Sequence, residues 1–370
     1  MSTADSFSAT YQLVASSRDE AERTASNLCI EQSVEMPLDA VPVHVRNSIA
    51  TLKSLNQTEE GIWTANVSYP KLLVDGDRTQ FLNVLFGNSS IQQNVKLIDV
   101  ENSYLNEILP GPSFGISGIR KGLNVNDRPL SCTALKPVGL SPSDLAERAY
   151  QFSRGGIDII KDDHGLANQG SASFYSRVAS CVRAVKKGED ISGKRTLYFP
   201  NITCSPSKVI ERYKTAHDLG ADGVVISPQL SGLEILSELA KIGEIPLMAH
   251  PAFSGSFVIH SNQGISAAFY YGKLWRSFGA DAVIYPNAGG RFSFTIDECK
   301  DINNSCRSEI GVFNKSFPTP GGGINRDSVN HWMKQYGNDT IFLIGGSLYQ
   351  HSGGIEASTK EFQQNLKNYE

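Results

Sequence analysis

A (β/α)8 barrel preceded by a small α+β domain of ferredoxin-like type is the fold class this 370-residue sequence predicts. Three observations carry it. From about residue 129 one unit repeats eight times: a short apolar strand, a polar tip, then an amphipathic helix, over roughly the 250 residues such a barrel occupies. Two of the helices open on Ser-Pro and close on glycine ("SPSDLAERAYQFSRGG", "SPSKVIERYKTAHDLG"), the N-cap, first-turn proline and C-terminal glycine expected of helix ends. The first 120 residues instead mix strand and helix signals on a small scale.

In chain order, "FSATYQLV" and "GIWTANVSYP" alternate as half-buried strands do. "SRDEAERTASNLCIEQS" and "DRTQFLNVLFGN" carry helical periodicity, and "NVKLIDVEN" reads as another strand. Strands and helices so mixed suggest one antiparallel sheet covered by helices. The stretch 41–57 has no clear period, and 109–129, rich in Gly and Pro, reads as a linker. The domains are therefore expected at 1–120 and 121–370. The barrel strands are read at 130–137, 156–163, 196–203, 222–228, 245–251, 281–287, 315–323 and 340–346. A doubly wound open sheet is the alternative, but it would carry a glycine-rich fingerprint after its first strand, and "TALKPVGLSPSD" is not one.

The composition excludes several function classes. A net charge of −4 gives no electrostatic case for nucleic acid or an anionic membrane. No apolar run reaches the roughly 18–20 residues of a membrane span. The N-terminus lacks a signal pattern, and six scattered cysteines without CxxC spacing read as reduced and buried. A disulfide-free cytoplasmic protein acting on a small molecule is expected.

In a barrel enzyme the chemistry sits at the C-terminal ends of the strands. The tips here are Lys136, then Lys161-Asp162-Asp163-His164, Asn201, Ser227, His250, Asn287, Gly321-Gly322-Gly323 and Gly345-Gly346. Alternation along the second barrel strand places Lys161 and Asp163 on the inward row with Ile157 and Ile159, and Asp158 and Asp162 toward the helices. His164, past the strand, can be turned back to the mouth by its loop. A lysine and a carboxylate on one inward row form either a buried ion pair or a metal site. Asp163 and His164 would then be oxygen and nitrogen ligands, and Lys161 would join only if neutral or modified.

The bare backbones of "TPGGGIN" (Gly322, Gly323) and "IGGS" (Gly345, Gly346) lie at two neighbouring tips, where barrels bind phosphate through main-chain N–H groups; two ordinary tight turns are the alternative. Lys136 becomes a base if desolvated or near a metal. His250 either orients substrate or is structural. Asn201 and Asn287 either bind sugar hydroxyls or cap turns, and Arg291 has the fork to pair a phosphate or carboxylate.

The segment "GGIDIIKDDHG" resembles the activation-lysine motif of the RuBisCO large subunit, and nearly the whole chain resembles the RuBisCO-like proteins, form IV of that superfamily. "CTALKPVGLS", "PGGGI" and "IGGS" match as well, while Asn88 in "LFGN" and Glu31 in "IEQSVEMP" resemble active-site residues that a neighbouring subunit's small domain donates. The resemblance implies a homodimer with active sites at the subunit interface and a CO2-derived carbamate on Lys161 that holds Mg2+ with Asp163. It also implies a proton-handling role for Lys136 and phosphate binding by the four glycines.

The departures from the carboxylase are equally specific. His164 stands where a third carboxylate is expected, "KPVG" keeps one lysine instead of two, and no lysine follows the sixth strand before Lys300. Pro251 stands for an arginine. CO2 fixation is not expected, and a substrate with one phosphate is favoured. The resemblance then implies a Mg2+-dependent enolising isomerase of 5-methylthioribulose 1-phosphate or a close analogue, in methionine salvage. Alternatives are a decarboxylase of a branched 3-oxo sugar-acid phosphate, the salvage enolase, whose KDDE motif this chain lacks, and a non-catalytic scaffold.

Overall fold

The computed structural model describes residues 5–367, which fall into two compact units. The small unit runs to Leu109 and takes in Ser254–Tyr270 and Ile310–Val312; the large unit comprises Pro110–Phe253, Tyr271–Glu309 and the chain from Phe313 onward.

In the small unit, β1 (Ser6–Val14), β2 (Thr51–Glu59), β3 (Ile62–Pro70) and β4 (Val95–Val100) form an antiparallel sheet in the order β4-β1-β3-β2, with helices Arg18–Glu31 and Arg78–Phe86 at the two crossovers. This is the expected ferredoxin-like arrangement. The alternation of β1 buries Phe7, Ala9, Tyr11 and Leu13 on one face, against Ala21, Ala25 and Leu28 of the first helix and Phe81 and Leu85 of the second. The stretch 41–57 resolves into a 3-10 turn, Val43–Ser48, and most of β2. A short strand from far along the chain, β10 (Gly264–Ile265), adds to the edge of β4 in parallel.

The large unit is the barrel. Its strands are β5 (Leu130–Leu135), β6 (Ile159–Asp162), β7 (Leu197–Phe199), β8 (Val224–Ile226), β9 (Leu247–Ala249), β11 (Ala282–Pro286), β12 (Phe317–Gly321) and β13 (Ile341–Ile344). All eight lie inside the expected ranges and run parallel, in the order β7-β6-β5-β13-β12-β11-β9-β8. The circle closes between β7 and β8 through an Asn201–Val225 bridge, in which Val225 donates to Pro200 and Ile202 donates to Val225, both at 2.9 Å. Every residue of β5 and β6 is buried, as a sheet covered on both faces requires.

The stretch 109–129 is not only a linker. It carries the helix Gly115–Leu123, whose Ile116, Ile119 and Leu123 pack on Leu130, Ile159, Leu197, Phe317 and Ile341. Those residues open their strands, so the helix plugs the N-terminal end of the barrel. Asp281 fixes its start: one carboxylate oxygen accepts the N–H groups of Phe114 and Gly115 at 2.7 Å each. With one end plugged, a ligand has the opposite rim, where the polar tips lie.

Candidate functional site

The site grows from the alternation of β6. Ile159 belongs to the barrel core, and Lys161, two residues on, is 2% exposed. The intervening side chains turn outward. Asp158 pairs with Arg128 at 2.7 Å, and Asp162 pairs with Arg177 of helix Phe174–Ser192 at 2.9 Å. Lys161 makes one hydrogen bond, from Nζ to the carbonyl of Asp162 at 3.1 Å. An ammonium has three donors to place, so a charged Lys161 is poorly satisfied. Burial accordingly lowers its pKa, only partly offset by Cys132 and the two neighbouring carboxylates.

Asp163 begins the loop after β6. Its carboxylate meets Lys136, which follows β5, at 2.5 Å. Burial pushes this carboxyl up, but the nearby His164 ring and the Lys136 and Lys161 cations outweigh it and hold it well below the usual carboxylate range. The backbone N–H of Lys136 rests on the Tyr349 hydroxyl at 3.1 Å, which donates in turn to the carbonyl of Ala134 at 2.8 Å. Lys136 is thus tied to the 3-10 turn Gly346–Tyr349 that follows β13, through a tyrosine that no motif in the sequence marks.

His164 lies with Nδ1 3.7 Å from Asp163 and its ring stacked on that of His250, centroids 4.7 Å apart and planes 14° off parallel. Nδ1 of His250 accepts the N–H of Ala252 at 3.1 Å, so the neutral ring carries its proton on Nε2. Burial first, then the cationic charge of Lys161 and of His164, hold its pKa well below that of a free imidazole. Two stacked rings cannot both direct an in-plane lone pair at one ion. Among the described residues no three His, Cys, Asp or Glu side chains converge to hold a metal.

At the neighbouring tips the backbone is bare. A side chain at Gly322 or Gly346 would meet open space, and one at Gly345 would come 4.0 Å from the Lys136 stem. Gly322 and Gly323 both hold left-handed backbone, with φ of +95° and +68°, and at Gly323 a Cβ would in addition lie 2.8 Å from the backbone N of Gly290. Ser347, next to Gly346, buries its hydroxyl without a partner.

Of the two alternatives open at Asn201 and Asn287, sugar binding or turn capping, the contacts present are internal ones. Asn201 is fully buried with its amide spent on the protein: Nδ2 donates to the carbonyls of His164 (3.0 Å) and Leu166 (2.9 Å), and Oδ1 accepts from Thr203. Asn287 is likewise committed, accepting from Tyr336 at 2.7 Å and donating to the carbonyl of Ala288 at 3.0 Å. Asn201 thus spends both of its N–H groups within the protein, whereas these bonds use one N–H and one lone pair of Asn287. Arg291 is exposed, with its guanidinium 5.1 Å from the ring centre of Phe292. In the small unit, Asn88 Nδ2 bridges Glu31 at 2.9 Å and Glu35 at 3.0 Å, bringing together the two residues singled out there.

Residues 115–369 match the catalytic domain of the ribulose bisphosphate carboxylase large chain. The chain is 34% identical, over 97% of its length and 95% of the relative's, to a 5-methylthioribulose-1-phosphate isomerase of Rhodospirillum rubrum. It is 33% identical, over 96% of its length and 90% of the relative's, to a 2,3-diketo-5-methylthiopentyl-1-phosphate enolase of Bacillus velezensis. The crystal structure of a Rubisco-like protein from Rhodopseudomonas palustris superposes with a TM-score of 0.89 at 34% identity, covering 99% of this chain and 98% of that one.

Proposed function

Because the chain belongs to the ribulose bisphosphate carboxylase large-chain family, we propose that it is an enolising isomerase of a phosphorylated ketose, 5-methylthioribulose 1-phosphate or a close analogue. The observation that carries the reading is the grouping of Lys136, Lys161 and Asp163, with open glycine backbone beside Lys136.

The donor set fits a divalent cation such as Mg2+. Asp163 supplies carboxylate oxygen, and a buried, under-bonded lysine of lowered pKa is the one that gives up its proton to react with CO2. As a carbamate, Lys161 becomes a second oxygen ligand; as an ammonium it has no lone pair. His164, stacked on His250, is the weakest of the three expected ligands. When bound, the cation supplies polarisation of the substrate carbonyl, which acidifies the neighbouring C–H.

The chain's own residues supply the rest. Lys136 lies where it can take that proton and return one elsewhere on the chain. It is held as an ion pair by Asp163, the carboxylate that would also hold the cation, so the two would compete for the same oxygens. His250 presents Nε2–H to a substrate oxygen. The N–H groups around Gly322, Gly323, Gly345 and Gly346, with the Ser347 hydroxyl, receive the phosphate. Glu31 and Asn88 belong to the reading as residues given to the site of a partner subunit in a homodimer.

His164 and Pro251, which stand for a carboxylate and an arginine, argue against CO2 fixation. The same histidine favours the isomerase over the enolase, and the decarboxylase uses the same carbonyl polarisation without a return proton. Incubation with 5-methylthioribulose 1-phosphate, Mg2+ and bicarbonate, followed by 1H and 31P NMR, tests the assignment. An isomeric sugar phosphate formed without CO2 release is expected; an unchanged substrate overturns it.

A further inference from the structure

The loop that follows β6 carries Asp163 and His164, and two side chains outside the barrel mouth hold four of its carbonyls. Asn201, just past β7, donates to the carbonyls of His164 (3.0 Å) and Leu166 (2.9 Å). Arg177, on the helix behind, donates to those of Ala172 (3.1 Å) and Ala167 (2.9 Å) while its Nε grips Asp162 at 2.9 Å. Arg177, Asp162 and Asn201 are all fully buried. Asp162 also accepts from the Tyr198 hydroxyl at 2.8 Å and from the N–H of Asn201 at 3.0 Å, joining the two clamps into one network.

Two features show why such a clamp is needed. Within the loop the other bonds are local: Leu166 N–H to Asp163 at 2.9 Å and Ala172 N–H to Gln169 at 3.0 Å, Ala167 N–H to the Gln169 side chain at 3.0 Å, Gln169 Nε2 to the carbonyl of Gly165 at 2.5 Å and Phe174 N–H to the Asn168 side chain at 2.7 Å. None of these ties the loop to the next strand or to the body of the helix behind it. The strand itself stops at Asp162, and the bridge beyond it, Gln169–Ala172, lies within the loop. Three buried polar groups closed on themselves are costly to assemble unless every member is satisfied, and here the acceptors they satisfy belong to the loop.

We infer that Asn201 and Arg177 are positioning residues that set the place of Asp163 and His164 at the barrel mouth, acting from behind the loop and not on substrate. The inference rests on the functional reading above only in what the positioned residues do. Groups behind a metal site typically cost 10–100-fold in metal affinity or activity when removed.

Asn201→Ala and Arg177→Lys, in the full chain, test it. The lysine keeps the charge opposite Asp162 but lacks the fork that spans two carbonyls, so it separates loop placement from folding. Hydrogen exchange in residues 163–172 is expected to accelerate at least tenfold in both variants, with the barrel strands protected as in the wild type. Mn2+ binding, followed by electron paramagnetic resonance with bicarbonate present, is expected to weaken about tenfold or more. Turnover should fall 10–100-fold while KM shifts less than about threefold. Loop exchange and Mn2+ affinity equal to wild type in both variants would overturn the inference, as would Asn201→Ala raising KM with exchange unchanged. A wild-type chain that binds no Mn2+ overturns the functional reading instead, and loop exchange alone then decides the clamp.

Discussion

Lys136→Met probes the competition at Asp163. Methionine keeps the length of the stem and removes the charge. The pair is close, at 2.5 Å, and unequally exposed: 39% for the lysine and 13% for the carboxylate. A solvent-exposed pair contributes up to about 1 kcal/mol and a buried one costs about 3–5 kcal/mol when one partner is lost, so about 1–2 kcal/mol is reasonable here. A cation taken up by Asp163 must first overcome that attraction. Removing it strengthens cation binding by the same amount, about 5–30-fold, and removing a like charge near the cation adds in the same direction. Titration with Mn2+, followed by electron paramagnetic resonance, is therefore expected to show about tenfold tighter binding, while proton transfer is lost. Binding no tighter than wild type would refute the competition, and turnover retained would refute the proton-transfer role of Lys136.

Two further outcomes follow from particular contacts. Gly346→Ala puts a methyl group into open space, in a residue whose backbone does not require glycine; the fold should be unchanged in thermal melts, while KM for the phosphorylated substrate rises about tenfold, equivalent to about 1.4 kcal/mol. Asp281 is fully buried, and burial pushes its pKa up to about 6, against the opposing pull of the N–H groups of Gly115, Leu247 and Phe114. A raised carboxyl pKa means the folded state binds the extra proton, so this group's contribution to stability falls as pH rises from about 4 to about 7, by about 3 kcal/mol. The difference in urea stability between wild type and Asp281→Asn should show that slope; parallel curves would exclude it.

The barrel was legible in the sequence because each strand is a short apolar run ending in a polar tip, and two helices announce their ends with Ser-Pro and glycine. The inward placement of Lys161 was legible for the same reason, since alternation needs only Ile159 as a reference. The plug helix Gly115–Leu123 was not. Gly115, Gly118 and Gly122 lower its intrinsic propensity, and it forms because Ile116, Ile119 and Leu123 find the strand starts in space. β10 was hidden likewise, a two-residue strand whose partner lies more than 160 positions earlier. For Asn201 and Asn287 the sequence leaves sugar binding and turn capping open, because a polar residue at a strand tip is equally placed for either. Their partners, the His164 and Leu166 carbonyls and the Tyr336 hydroxyl, are set only by the closed barrel. Arg177 had one sequence signal, the outward-facing Asp162 that needed a buried cation.

In the proposed reaction Lys161, with Asp163, forms the centre at which a proton next to the substrate carbonyl is made removable. Deuterium incorporation into 5-methylthioribulose 1-phosphate in D2O, with Mg2+ and bicarbonate, compares wild type and Lys161→Ala most directly. Exchange is expected in the wild type and none above background in the variant; exchange at the wild-type rate in Lys161→Ala would contradict the account.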